Sequence, residues 1–540
     1  MQPLRIAIVG FGPKGLFALE RLLDGLARGK PGASLSIDLY EPHPFPGAGP
    51  VYDPRQPGYL RMNFAAEQVD AWPPDSLAAS EDKRLSFAQW RGSHPLPCDE
   101  EYPPRALVGR YLAAAFEVLR AQAQRGVTIE VRSAVVHSIR RRRAGWEVAT
   151  SDTAFAYDEV LVAIGHQTAS NQSLETTWRH ADALVPSVFP VEHWLGPQRI
   201  RPGATVAVRG FALTFIDAAL ALTEGRGARF ETTDHPFRLD YTRAGDEVGL
   251  LVPFSRSGRP MLAKPSPRMA ARLPELELIA VPARRRVLAL ATGFVVEVEL
   301  TEIIEAVAEA SLRAAGGVAR APSPDPAAEL ERSLAIATDV EPPDTQWALG
   351  HAWRTLYPAV VARLGGQGLE PEQWPAFRSL AERMERIAFG PPPVNAAKLL
   401  ALIEAGRVDL GHLRGRIEGR GATTAIVSDA GERAVDRVVD AVLAGPGALG
   451  LHSELLEQLV GDGHCRIVAG RRGLDIDDDA SCIDAEGNLS RGLSAIGRPT
   501  EDSVIGNDTL SRSLHPQAER WARRVVERCS DASRSEVAVR

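Results

Sequence analysis

At 540 residues, 44% hydrophobic and 24% charged, the chain is globular in composition and too long for one ordinary core, so two or three domains are expected. Its net charge of -7 weighs against a nucleic-acid partner, which would need clustered positive charge to neutralise phosphates. No stretch approaches the roughly 20 apolar residues of a membrane span, and Cys98, Cys465, Cys482 and Cys529 show neither CxxC nor zinc-ligand spacing. No metal, no membrane partner and no disulfide-reductase chemistry are therefore expected. A strand that starts near Arg5 leaves no room for a signal peptide, and a reducing cytoplasm fits.

Residues 5–9 read as a short buried strand that runs into Gly10-Phe11-Gly12-Pro13-Lys14-Gly15. The helical pattern Leu16, Leu19, Leu22, Leu23, Leu26 follows. This is G-x-G-x-x-G in a strand–turn–helix context, in which Gly10 allows the tight turn, Gly12 lets backbone approach a pyrophosphate and Gly15 lets helix pack on strand. The helix N-terminus adds unpaired N–H groups for the phosphates. A second strand, 35–40, ends at Glu41, placed to accept hydrogen bonds from a ribose 2′-OH. The loop 46–52, with Gly49 and Tyr52, lies where flavoproteins hold the flavin ring and ribityl chain, so FAD is preferred. The run Arg140 to Arg143 reads as a hairpin turn before Trp146, a solvated position. A strand over 159–163 ends in Ala163-Ile164-Gly165, like the strand that closes FAD domains.

A second strand–turn–helix follows at 204–217, with Gly210, Ala212 and Thr214 as its cofactor candidates. Two such units about 200 residues apart are the signature of FAD plus NAD(P)H in one chain. Ala212 and Phe215 stand in the second and third glycine slots. Either the cofactor sits further out, or the unit is structural. The next strand, 250–254, ends at Ser255-Arg256-Ser257 with no acid, so Arg256 could pair with a 2′-phosphate and NADPH is favoured. Arg226 is a further phosphate candidate.

After a short strand pair near 286–300, residues to about 390 read as helical, notably 303–312, 347–364 and 374–387, with breaks at 321–326 and 341–344. Trp353 and Tyr357 read as core. From about 395 the chain is expected to rejoin the FAD domain, through strands at 424–428, 437–442 and 489–497. Gly497 stands where a flavoprotein Gly-Asp pair reaches the cofactor. Arg498 replaces the Asp, with Asn507 and Asp508 as substitutes. A helix over 515–529 caps the domain.

The fold class expected is α/β: a flavoprotein with two dinucleotide-binding, Rossmann-like domains, for FAD and NAD(P)H, and a helical insertion. The boundaries expected are 1–198 for the first part of the FAD domain, 199–300 for the NAD(P)H domain, 301–394 for the insertion or lid, and 395–540 for the return and cap.

Several segments together resemble a bacterial FAD/NAD(P)-binding family related to the N-hydroxylating flavin monooxygenases. They are the Gly10 motif, Tyr59-Leu60-Arg61-Met62-Asn63, residues 103–112 with Arg105 and Arg110, Ala163 to Gln167, Arg209 to Asp217, Ala388 to Pro392, and Gly497 to Leu514. One branch of that family makes nitrosuccinate from aspartate. The resemblance implies FAD and NADPH as cofactors, with Met62, Asn63 and Arg110 among the cofactor contacts. It also implies O2 and an amine or amino acid as substrates, with oxygen transferred to nitrogen from a flavin C4a-hydroperoxide. Lys264, Arg61 and Arg105 are the cationic clamp candidates for an acidic substrate. A reductase or dehydrogenase without oxygen insertion, and an FAD-retaining sensor or assembly protein, remain as alternatives, and a homo-oligomer is neither required nor excluded.

Overall fold

The computed structural model describes residues 3–29, 34–92, 101–167, 170–178, 181–265, 274–365, 368–420, 423–507 and 509–539, so Cys98 and Asp508 lie outside the described residues. Leu4–Val9 (β1) is buried along its last four residues, as a strand flanked on both sides must be. It turns at Gly10 into Pro13–Arg28 (α1), with Pro13 at the first helical position, where its missing N–H costs nothing. Leu35–Tyr40 (β2) pairs in parallel with β1. After Arg105–Ala121 (α2), Val127–Arg132 (β3) pairs in parallel with β2. An antiparallel meander of Ser138–Arg141, Trp146–Ala149 and Ala154–Tyr157 follows, with Arg142 and Arg143 in its first turn. Glu159–Val162 (β4) then returns on the other side of β1. The strand order reverses at β1, which opens a crevice at the carboxyl ends of β1 and β4.

The second unit repeats this logic. Leu184–Val185 (β5), Thr205–Arg209 (β6) and Leu250–Phe254 (β7) belong to a second parallel sheet, and Leu213–Leu222 (α3) follows β6. Six helices come next: Glu275–Leu288 (α4), Thr301–Ala314 (α5), Pro326–Ala337 (α6), Thr345–Leu364 (α7), Trp374–Ala388 (α8) and Pro393–Glu404 (α9). Trp353 and Trp374 are fully buried in the core that α4, α5, α7 and α8 share, while α6 and α9 pack into the core of the second sheet.

Two expectations are corrected here. The strand pair near 286–300 does not form: residues 275–288 are helical and Val296–Leu300 is a π-helical turn. The alternating Val/Glu run imitates a strand. Burial follows the helical period instead, with Val296 and Leu300 buried and Val295 and Val298 exposed. The second correction concerns the return at 395. Residues 416–435 form a separate antiparallel meander, and Arg437–Asp440 (β8) joins the second sheet, in parallel between β6 and β5. The physical reason is that β6 needs a neighbour on its switch side, and β8 is to β6 what β4 is to β1.

The first sheet is completed only by Ser481–Ile483 (β9) and Leu489–Ala495 (β10), where Leu493 pairs with Val160 of β4. Gln517–Val539 (α10) packs along α1, so close that a Cβ on Gly25 would lie 3.0 Å from Val526. Arg524 and Arg528 reach from α10 to the fully buried Glu159, Arg528 at 2.6 Å. Among the described residues no helix is long and apolar enough to cross a membrane.

Candidate functional site

The first crevice separates glycines the protein needs from a glycine it does not. Gly10 has φ +87°, and a Cβ there would lie 2.8 Å from the Ala163 carbonyl oxygen. A Cβ on Gly15 would lie 2.6 Å from the Gly10 carbonyl. Both are demanded by packing. Gly12 has φ -80°, open to any residue. Its Cβ would meet nothing closer than the Gly49 Cα at 3.8 Å. A side chain at Gly12 would therefore stand at the start of α1, where the first-turn N–H groups of the helix point and a pyrophosphate would fit. Gly165, past β4, has open space where a Cβ would point.

Glu41 ends β2 at the rim of this turn. Its two carboxylate oxygens accept the Phe11 and His43 N–H groups at 3.0 Å each, which aims the carboxylate while leaving lone pairs for a ribose. Gly49, at φ +64°, faces Gly12, and Tyr52 abuts α2, where a Cβ on Gly109 would strike the Tyr52 carbonyl. Arg110 is exposed on the next position of α2. Met62 is buried.

A cavity of about 590 Å³ adjoins the crevice and gathers Lys14, Gly497 and Asn507 with Phe64, Trp72 and His515. Gly497, at φ +80°, lies over the Lys14 side chain. The Lys14 ammonium donates to His515 Nδ1 at 3.3 Å, while Nε2 of that ring donates to the Ile505 carbonyl. Burial and the neighbouring Lys14 charge push the His515 pKa down to about 3, so the ring is neutral in this pairing. The Asn507 amide donates to the Val504 carbonyl at 2.6 Å and to Glu501. Arg498 donates to the Ala444 carbonyl and is buried rather than turned to the crevice.

The second crevice lies between β6 and β8. Gly210 has φ +104°, and its Cβ would sit 3.3 Å from the Ala441 carbonyl, repeating the contact of Gly10 with Ala163. Arg209 and Asp440 tie the strand ends together at 3.1 Å. Ala212 caps α3 in an exposed position, and Thr214 is half-buried in its first turn. Phe215 does not disrupt the unit: it is buried edge-on to Phe211 at 5.2 Å. The Arg256 side chain is 90% exposed, with a surface pair to Glu382 at 3.3 Å. Arg226 is spent on the Leu195 and Ile200 carbonyls.

Of the three clamp candidates, Arg105 is committed to protein. It holds the buried Asp217 at 2.7 Å and donates to the Arg61 carbonyl at 3.1 Å, tying α2 to α3. Arg61 is half-buried beside it, on a bridge to Pro104. Lys264 differs. Its ammonium donates to the Asn63 carbonyl and lies 5.8 Å from the Phe389 ring centre. Burial, reinforced by the nearby charge of Arg354, lowers its pKa to about 7. Arg354 of α7, which sequence reasoning missed, donates to the Ala388 carbonyl at 3.0 Å, and burial lowers its pKa to about 10. Both side chains sit deep in the fold yet keep some accessible surface. Among the described residues neither makes an ion pair. Nothing in the sequence separates Arg354 from Arg363 of the same helix, which donates to the Leu290 and Ala291 carbonyls.

Residues 7–167, from β1 to just past β4, match the model of a family described as FAD-NAD(P)-binding. The chain is 34% identical over 275 residues to nitrosuccinic acid synthase npaA of Aspergillus oryzae, a match covering 48% of this chain and 41% of that one. It is 28% identical over 316 residues to an L-aspartate N-monooxygenase (nitrosuccinate-forming) of Streptomyces davaonensis, covering 52% and 47%. The chain thus spans about half the length of the curated relatives it matches. Among solved structures, L-lysine 6-monooxygenase from Pseudomonas syringae aligns over 98% of this chain and 100% of its own, at 14% identity and a TM-score of 0.48. The similarity to the FAD-NAD(P)-binding family model is thus to residues 7–167, the part of the chain that builds the first crevice.

Proposed function

We propose that this chain is an FAD-dependent, NADPH-consuming monooxygenase that oxygenates the nitrogen of a small amine or amino acid bearing carboxylate groups. The observation that carries the substrate side is a half-buried basic pair, the Arg354 cation and Lys264, which holds the Asn63 carbonyl; neither has a carboxylate partner among the described residues. Uncompensated buried charge is costly, and an anionic ligand offsets it. The relatives named for nitrosuccinate formation and for aspartate support the same substrate class.

The first crevice would hold FAD along Glu41, Gly10, Gly12, Gly49 and Gly497, and the second would hold NADPH at Gly210, Ala212, Thr214 and Arg256. When bound, these cofactors and O2 supply the redox and oxygen chemistry. The chain's own part is to bind, orient and keep dry. Lys264 and Arg354 draw in carboxylates, and the apolar walls around Phe389 exclude water. The cavity beside Arg354 is about 20 Å³, room for a water and not for an amino acid.

The test is product stoichiometry. FAD-loaded protein supplied with NADPH and O2 should convert an acidic amino acid to its hydroxylamine, nitroso or nitro product, in step with NADPH consumed. Peroxide as the sole product across a panel of amines would leave a reductase. A flavin that stays oxidised with both NADPH and NADH would leave a sensor. For the second crevice, Arg256→Ala should raise KM for NADPH about tenfold, the weight of one charge-assisted hydrogen bond, and leave KM for NADH unchanged. Equal changes for both would remove Arg256 from the site.

A further inference from the structure

We propose that Lys264 takes the proton from the substrate's ammonium group as the substrate carboxylate settles between Lys264 and Arg354. This rests on the substrate class proposed above. One substrate N–H bond breaks, one Nζ–H bond forms, and no proton is exchanged with solvent. The amine is left with a free lone pair, without which its nitrogen cannot attack an electrophilic oxygen.

The geometry supports a lysine that changes charge in place. Its backbone is pinned on both sides: Leu262 N–H donates to the Arg386 carbonyl at 3.1 Å and Lys264 N–H to the Pro391 carbonyl at 2.9 Å. Its Nζ has the Asn63 carbonyl as a fixed acceptor, which serves an amine and an ammonium alike. Among the described residues the charged and titratable groups around it are few. Arg354 faces it from α7. Tyr102 donates to the neighbouring Pro265 carbonyl at 3.3 Å, and burial drives its pKa up, so it stays protonated. His351, one turn from Arg354 and stacked on Trp347, is lowered to about 4 by burial and stays neutral. Glu329 borders the small cavity beside Arg354 and is already held by Arg259 at 3.0 Å and Arg386 at 3.6 Å.

Of Lys264, Arg354, Tyr102 and His351, only Lys264, lowered to about 7, titrates near neutrality. Its two depressing causes are burial and the Arg354 charge. An arriving carboxylate answers the second and gives the ammonium a partner, so the lysine regains its basicity when the substrate is in place. In the free protein at pH 8 the neutral form of Lys264 therefore predominates.

The proposal separates two ligands that differ only in the amine. Succinate has both carboxylates and no proton to offer, so its binding must draw one from buffer. L-Aspartate carries its own. Titration calorimetry of the FAD-loaded full chain at pH 8, in phosphate and in Tris, reads the protons taken up from the difference in heats. The expected uptake is most of one proton, up to about one, for succinate and close to zero for aspartate. Lys264→Arg, which keeps a permanent charge, should still bind succinate and lose the uptake. Zero uptake with succinate in the parent would make Lys264 a fixed cation and overturn the proposal. Equal uptake for both ligands would overturn it too, since the proton would then come from solvent. Failure of either ligand to bind at all would instead sink the substrate class on which it stands.

Discussion

Gly12→Val should empty the first crevice of flavin while leaving the apoprotein about as stable as its parent. Gly10→Ala should do the reverse damage and unfold the unit. The contrast follows from two glycines two residues apart. At Gly12 the backbone is extended and a Cβ would make only an ordinary contact with the Gly49 Cα at 3.8 Å, so the cost in the apoprotein is chiefly a weaker helix cap, about 1 kcal/mol. Any side chain there fills the volume that a pyrophosphate would occupy. At Gly10 the left-handed backbone costs roughly 1–2 kcal/mol for alanine. The new methyl would also lie within 2.9 Å of the Ala163 and Ile164 backbones, which cannot yield without parting β1 from β4. The flavin-to-protein absorbance ratio and the melting temperature of stripped protein, read together, check both halves. Parental flavin content in Gly12→Val would count against a dinucleotide in this crevice.

Removing Arg105 should cost about 3–5 kcal/mol of stability, because it strands a carboxylate inside the protein. Asp217 is 3% exposed, and its pKa is raised by burial against the opposing pull of Arg105. Arg105→Ala takes that pull away. The folded chain then keeps a proton on Asp217 that the unfolded chain releases, so the variant loses stability as pH rises above the ordinary carboxylate range. Urea denaturation should show a larger deficit at pH 8 than at pH 5. Adding Asp217→Leu should recover most of it. A deficit under 1 kcal/mol, equal at both pH values, would mean that Asp217 finds another partner. The predicted clamp thus has a structural job, joining α2 of the first unit to α3 of the second.

The parts legible in sequence were those governed by local periodicity. The Gly10 turn, β2 and its terminal Glu41, β7 and the helices from Thr301 to Ala388 all carry their own pattern. The strand β8 has a pattern too, but its sheet is chosen by which edge is free, and that depends on residues 230 positions earlier. The Val/Glu run at 295–299 failed for another reason, since two-residue alternation and four-residue burial coincide over so short a stretch. In the candidate site, Lys264 was legible as an isolated cation. Arg354 was not, because only tertiary packing brings α7 against Ala388 and Phe389.

The pairing of β4 with β10 has a consequence for how the molecule is made. Val160 leaves the ribosome about 330 residues before its partner Leu493. At translation rates of 5–20 residues per second, that is roughly 15–70 s. Through that time the family-matching segment has an unpaired strand edge next to the glycine turn, with Glu159 lacking the arginines that neutralise it. The nascent chain is then an invitation to strand addition by another chain. Crowding, slow codons or chaperone supply should therefore decide the yield of soluble protein more than the stability of the finished fold does.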